Sequence, residues 1–255
     1  MKKLTVGVFG FGKTGRLVAG EFLKSDEFHL SWVIRESRTD NHKYASRLLG
    51  FEFDRGEIYS IDDITEDFYV KNHTDLIIDF SSSTGIYSYA PAAYQGTRIV
   101  SAISKYEQQD LDLLKSLSSQ TPVLYSPNIT LGVNVLLIAG QILQKIAPHA
   151  DIEIVEEHFR EKKEVSGTAK KIAKALNLSE QEHINSIRVG GIVGRHEIIF
   201  GLPNQTMRLV HESFNRAVFG QGAIFASKWL VNQPAGLYSM ENIIAEMFKQ
   251  NIPVY

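Results

Sequence analysis

Residues 156–176, EEHFREKKEVSGTAKKIAKAL, bring together groups that can move a proton and hold an anion. His158 exchanges a proton near neutral pH, as a general acid must. The run from Ser166 reads as the start of a helix, with Ser166 or Thr168 as its cap and the amides of Gly167 and Thr168 pointing outward. Such a terminus attracts carboxylates, and Lys162 and Lys163 add positive charge beside it. Taken alone, the same residues also describe a capped helix with a solvated basic face.

A second chemical pattern opens the chain. The β-rich run LTVGVF (4–9) leads into GFGKTG and then into RLVAGEFLKS, apolar at helical spacing. Gly10, Gly12 and Gly15 have the G-x-G-x-x-G spacing in its required setting, strand before and helix after. Gly10 permits the tight turn, Gly12 lets backbone approach a pyrophosphate, and Gly15 lets helix pack on strand. Lys13, Thr14 and Arg16 belong to the same loop. The ribose-binding acid of this pattern stands about 20 residues further on, where the chain reads WVIRESR. Arg35 there can accept a 2′-phosphate, with Glu36 and Arg38 close by. That favours NADPH as cofactor, with NADH possible because Glu36 can still hold a ribose hydroxyl. A nucleotide domain next to an anion-binding segment suggests hydride transfer to an anionic substrate that also takes a proton.

Composition sets the limits. The chain has 255 residues, 44% of them hydrophobic and 22% charged, with a net charge of −2. A core of ample size is expected, and bulk electrostatic binding of nucleic acid is not. No apolar run approaches the roughly 20 residues that span a bilayer. MKKLTVGVFGFG runs into a glycine turn and reads as a first strand rather than a signal peptide. There are no cysteines, which removes disulfides and thiolate chemistry. There is no H-E-x-x-H motif either, so no metal is expected. These features fit a cytoplasmic enzyme.

The elements that must carry the two patterns alternate as strand and helix up to residue 127. HLSWVI (29–34), DLIIDF (75–80), TRIVSAI (97–103) and TPVLYSP (121–127) read as strands, with helices at YSYAPAAYQG and EQQDLDLLKSLSSQ. This is an α/β pattern: a doubly wound parallel sheet of Rossmann type. From Asn128 the character changes. LGVNVLLIAGQILQKIA (131–147) is a long apolar helix, DIEIVEEH (151–158) alternates as a strand, and the segment 187–219 is strand-rich. Helices follow at 222–231 and 239–248. Two domains are expected: a dinucleotide-binding domain of residues 1–127 plus 232–255, and an α+β domain of residues 128–231 with an open mixed sheet, for substrate and oligomerisation. Glu156 and Glu157 read as exposed strand-end charges, with orientation of His158 as the alternative. His196 and His211 fall in strands and read as structural, and Asn134, in an apolar helix start, as a tie between domains.

With these residues in place the chain resembles the dihydrodipicolinate reductase family, nearly from end to end. The matching segments are VGVFGFGKTGR, LIIDFSSSTG, SPNITLGVNVLL, DIEIVEEHFREKKEVSGTAKKIA, IRVGGIVGRHEIIF, GAIFASKWL and GLYSMENII. The most specific are His-x-x-x-Lys followed by Ser-Gly-Thr-Ala, and Gly-x-Val-Gly-x-His. The resemblance implies reduction of a cyclic unsaturated dicarboxylate to tetrahydrodipicolinate by NAD(P)H, in lysine and diaminopimelate biosynthesis. It implies that His158 is the catalytic acid and Lys162 its partner lysine. Lys163, Ser166, Gly167 and Thr168 would bind substrate. Gly10, Gly12, Lys13, Thr14, Gly15, Arg16, Arg35, Phe80, Ser81, Ser101, Ala102, Ser104, Pro127 and Ile129 would line the cofactor site. It also implies a homotetramer built through the second domain's sheet.

The chain departs from the family pattern at four places. Phe159 replaces a second histidine, and KKEVSGT lacks a proline and is one residue shorter, so that either Lys162 or Lys163 could serve as the catalytic lysine. SAIS (101–104) replaces a Gly-Thr-Thr-Gly turn, and PNIT (127–130) replaces Ala-Asn-Phe-Ser. Two other readings therefore stay open: a reductase or dehydrogenase of the same fold acting on another imine or diamino acid, and a weakly catalytic NADPH-binding sensor or scaffold.

Overall fold

A computed structural model describes residues 3–65 and 67–253. Along the chain lie β1 (Leu4–Phe9), α1 (Lys13–Lys24), β2 (Phe28–Arg35), α2 (Ala45–Leu48), β3 (Glu57–Ser60), α3 (Phe68–Lys71), β4 (Leu76–Asp79) and α4 (Gly85–Tyr94). Next come β5 (Arg98–Ser101), α5 (Gln108–Leu117), β6 (Pro122–Tyr125), α6 (Leu131–Ile146), β7 (Asp151–His158), α7 (Gly167–Ala175) and α8 (Glu180–His183). The last are β8 (Ile184–Arg188), β9 (Gly194–Leu202), β10 (Gln205–Ser213), α9 (Val218–Leu230), β11 (Gly236–Tyr238) and α10 (Met240–Asn251).

The chain forms two compact units, Met1–Ile129 with Ala217–Met240, and Thr130–Arg216 with Glu241–Tyr255. These bounds differ from the expected ones, 127/128 and 231/232. In the structure α9 packs on α1, where Gly220 brings the helices so close that an added Cβ would lie 2.8 Å from the Glu21 side chain. That contact puts α9 in the first unit, and residues 241 onward belong to the second.

The first unit holds a seven-stranded parallel sheet in the order β11-β6-β5-β4-β1-β2-β3. The order reverses between β1 and β4, which opens a crevice at the carboxyl ends of these strands. Apolar runs bury both faces of the sheet, as helix-covered parallel strands require. One side centres on Phe9, Trp32, Ile77 and Tyr89, with Phe9 edge-on to Trp32 (5.8 Å) and Tyr89 (5.1 Å). β3 and β11, of four and three residues, were not anticipated, because so short a run carries no legible period.

The second unit holds a four-stranded mixed sheet in the order β10-β9-β7-β8. β7 pairs parallel with β8 and antiparallel with β9, and β9 pairs antiparallel with β10. Even-numbered side chains of β7 face the core that α6 and α7 cover. Register makes the rows on that face explicit. One row is Ile184–Ile154–Ile198–Leu209, entirely aliphatic; the next, two residues along, is Ser186–Glu156–His196–His211; the one beyond pairs Arg188 with His158. The same buried face changes from apolar to ionisable in a single pleat.

Candidate active site

Two cavities lie in the first unit, at the carboxyl ends of its strands. One, of about 580 Å³, is lined by Gly10, Gly12, Arg35, Glu36, Phe80 and Ser81 among others. The other, of about 510 Å³, is lined by Thr14, Ala102, Ser104, Pro127 and Ile129, and it shares Phe80 and Ser81 with the first. Both volumes suit small-molecule sites.

The glycines of the loop have separate physical causes. Gly10 adopts φ +94°, and an added Cβ would lie 2.6 Å from the Phe80 carbonyl oxygen. At Gly15 a Cβ would fall 2.0 Å from the Gly10 carbonyl oxygen. These two shape the loop itself. Gly12 is different: its φ of −79° is extended backbone open to any residue, and a Cβ there meets nothing within 4 Å. The fold alone does not ask for this glycine, whereas a phosphate group resting on the N-terminus of α1 would fill the space a Cβ needs. The loop therefore fits a dinucleotide.

Arg35 donates from Nη1 to the Thr39 carbonyl (2.9 Å) and to Asp40 (3.3 Å) on the rim of the first cavity, beside exposed Glu36. Arg16 lies over the Phe11 ring (4.9 Å) and donates to the Phe11 carbonyl. Lys13 is exposed on the first turn of α1. Ser101, next to Ala102 in the chain, is buried, and its hydroxyl meets that of Tyr106 (2.9 Å).

Sequence reading missed the group beneath this wall. Asp79, fully buried at the end of β4, accepts from Ser81 N and Oγ, Tyr89 and Tyr106. Burial raises its pKa and the donors only partly offset that, leaving it at about 6. Because this folded value lies above the unfolded 3.8, Asp79 favours folding below pH 4, and that contribution is lost as pH rises through 6. The change is worth about 3 kcal/mol. Asp79→Asn, which cannot ionise, should therefore gain on the wild type between pH 4 and pH 7 by an amount of this order. Parallel denaturant titrations at the two pH values read it.

In the second unit Glu156 corrects the sequence expectation. It is not an exposed strand-end charge but fully buried, in the row between Ser186 and His196. Its Oε1 accepts from Arg188 Nη2 (2.6 Å), Ser186 Oγ (2.6 Å) and Ser166 N (3.2 Å), while Oε2 accepts from Arg188 Nη1 (2.9 Å) and meets His158 Nδ1. Burial alone would raise its pKa, but the bonds from Arg188, Ser186, His158 and Ser166 prevail and bring it to about 2. An ionised carboxylate only accepts, so Nδ1 of His158 carries the hydrogen. Glu157, on the other face, pairs with Arg195.

His158 is buried, and its pKa is lowered by desolvation, with Glu156 opposing the shift and Lys162 and Arg188 adding to it. Its Nε2 faces Gly194, where an added Cβ would stand 3.1 Å away. The second glycine of Gly-x-Val-Gly-x-His therefore leaves room at the free ring nitrogen. His196 stands edge-on to His158 (5.3 Å between ring centres) and shares a 2.8 Å bond with Ser166 Oγ. Ser166 occupies the N-cap position of α7, yet its hydroxyl goes to His196 instead of capping, because the row of β9 and β7 places the imidazole there. Burial lowers His196 to about 3 and keeps it neutral. Gly167 is exposed at the first turn of α7, next to half-buried Thr168. Lys162 acts electrostatically on both His158 and His196, and Lys163 beside it is exposed. Asn134 is fully buried and donates to the carbonyl of Thr130, the residue that precedes α6 (2.8 Å).

Comparison with known proteins identifies the family. The family model described as "Dihydrodipicolinate reductase, N-terminus" matches residues 4–129, and "Dihydrodipicolinate reductase, C-terminus" matches residues 132–244. The 4-hydroxy-tetrahydrodipicolinate reductase of Caldanaerobacter subterraneus subsp. tengcongensis is 35% identical over 197 residues, covering 69% of this chain and 78% of that one. The protein of the same name from Wigglesworthia glossinidia brevipalpis is 29% identical over 94% of each. In fold, the dipicolinate-bound dihydrodipicolinate reductase from Paenisporosarcina sp. TG-14 superposes with a TM-score of 0.75 at 21% identity, over 95% of this chain and 100% of that one. With both family models together spanning residues 4 to 244 apart from the two between them, a glycine loop built to receive a dinucleotide and a buried His158 beside Lys162, the chain belongs to the dihydrodipicolinate reductase family.

Proposed function

We propose that this chain is an NAD(P)H-dependent reductase that converts 4-hydroxy-tetrahydrodipicolinate to tetrahydrodipicolinate in lysine and diaminopimelate biosynthesis. The observation that carries the reading is His158, with Nδ1 committed to a buried carboxylate and Nε2 left facing Gly194. The nicotinamide, when bound, supplies hydride. The 4-hydroxyl leaves as water with a hydrogen from the adjoining ring carbon, and the double bond so formed takes the hydride and, from Nε2 of the His158 imidazolium, the proton. Lys162, rather than Lys163, balances the negative charge that develops nearby. The amides of Gly167 and Thr168, with Ser166 and Lys163 close by, hold a substrate carboxylate at the start of α7.

Gly10, Gly12, Lys13, Thr14, Gly15 and Arg16 cradle the pyrophosphate. Phe80, Ser81, Ser101, Ala102, Ser104, Pro127 and Ile129 shape the wall for the rest of the cofactor. Arg35 gives the preference for NADPH over NADH. The working form is a cytoplasmic homotetramer, assembled through the outer face of the second sheet, where Ile187 and Val210 are exposed beside the Glu157–Arg195–Glu197–Arg208 ladder.

A coupled assay tests the reading: dihydrodipicolinate synthase makes the substrate in place while NADPH and NADH oxidation are followed separately. Oxidation of both, faster with NADPH, is expected. Intact cofactor binding without turnover would overturn the substrate assignment. Arg35→Ala should raise the KM for NADPH by roughly tenfold and leave that for NADH unchanged.

A further inference from the structure

The loop 159–165 is exposed along most of its length and has no proline to stiffen it, yet it must keep Lys162 beside His158 if the reading above holds. Backbone bonds supply part of the restraint: Lys162 N donates to the Phe159 carbonyl (3.1 Å) in a local turn, and Arg160 N donates across to the Gly190 carbonyl (3.1 Å). Arg188 supplies the rest. Its Nε donates to the Lys162 carbonyl (2.9 Å) and its Nη2 to the Glu164 carbonyl (3.0 Å), while both terminal nitrogens grip Glu156. Glu156 in turn reaches the His158 ring and the backbone N–H of Ser166 at the start of α7. One ion pair thus joins the ring, the lysine loop and the helix terminus. Parallel register makes this possible, setting Arg188 opposite His158 and Ser186 opposite Glu156.

We infer that Glu156 and Arg188 are the positioning residues of this site. Glu156 holds His158 in the Nδ1–H form, so that Nε2 is the atom that exchanges the proton. Arg188 splints the shortened loop, so that Lys162 stays next to the ring. The inference rests on the reading of His158 as the proton donor. A buried ion pair that served stability alone would hold the fold together without setting either the tautomer or the loop.

The charged and titratable groups around the ring are Glu156 on its own strand, Arg188 on β8, Lys162 in the loop and His196 on β9. Of these Glu156 favours the imidazolium, and its removal shifts the ring's titration to lower pH. In Glu156→Gln, kcat should fall about 10–100-fold, the KM for NADPH should hold, and the limb of the kcat–pH profile that reports the imidazolium should move to lower pH. Glu156→Asp should restore part of that shift. Arg188→Lys should weaken dipicolinate binding several-fold while leaving the limb in place. A Glu156→Gln enzyme with wild-type kcat and an unmoved limb would overturn the inference.

A readout independent of turnover separates this result from failure of the proposed reaction. 15N–1H correlation of the wild-type imidazoles above the pKa of His158 should show its proton on Nδ1, whether or not the coupled assay gives activity. A proton on Nε2 would overturn the role of Glu156 even in an active enzyme, and the measurement needs no variant to fold.

Discussion

Replacing His158 with glutamine should lower turnover by roughly 10²–10⁴-fold, the range of a lost general acid, with the dissociation constant of NADPH unchanged. Glutamine approximates the size and hydrogen-bonding reach of the ring. It can keep a donor near Glu156, but it has no group that releases a proton near neutral pH. The contrast between turnover and cofactor binding is the informative part. His158 lies at the end of β7 in the second unit, and the glycine loop lies in the first. A variant that lost both properties would point to damage to the whole fold, and one that kept wild-type turnover would remove His158 from the chemistry. Single-turnover absorbance at the nicotinamide band, together with calorimetric titration of NADPH, reads the two separately.

The second large effect concerns the glycine loop, where two substitutions of the same size should behave oppositely. Gly15→Ala puts a methyl group 2.0 Å from a backbone oxygen that cannot move aside, because Gly10 is itself held by its N–H to the Ile34 carbonyl (2.8 Å). Overpacking of this kind costs about 1–3 kcal/mol, so the thermal midpoint should drop and cofactor binding should fall with it. Gly12→Ala puts its methyl group into open space and leaves the backbone undisturbed. Its thermal midpoint should match the wild type, yet its NADPH affinity should fall by about 100-fold, as the methyl group holds the pyrophosphate away from the α1 amides. A Gly12→Ala protein that melts and binds as the wild type does would show that nothing rests in the cradle. Thermal melts with and without NADPH distinguish the two substitutions.

The parts of the molecule legible in the sequence are those whose signal is local. The glycine spacing after LTVGVF specifies a turn, and a turn depends on a few neighbouring dihedrals. The apolar runs of β1, β2, β4, β5 and β6 announce a buried parallel sheet because each strand is covered on both faces, and DIEIVEEH announces β7 by its alternation. His158, Lys162 and the Ser166–Thr168 turn stood out because they fall within a single short segment.

What the sequence could not show depends on pairing across distance. Glu156 looks like a surface charge next to Glu157, since alternation alone does not say which face of β7 is covered or what stands opposite. Register decides it, by placing Ser186 and His196 on either side and Arg188 next to His158, and a two-residue slip would set Glu156 in the aliphatic row instead. Ser166 reads as a helix cap until β9 brings His196 within 2.8 Å of its hydroxyl. Asp79 reads as the end of a strand until Tyr89 and Tyr106, 10 and 27 residues further on, bond to it. The return of α9 to the first unit shows in no local pattern, because the close approach at Gly220 belongs to the packing of α9 on α1. The sequence by itself thus determined the class of fold and marked out the candidate residues of the site, which propensity and spacing encode. Only the tertiary structure decided their electrostatics and support, because burial and hydrogen-bond partners are properties of strand register and helix packing.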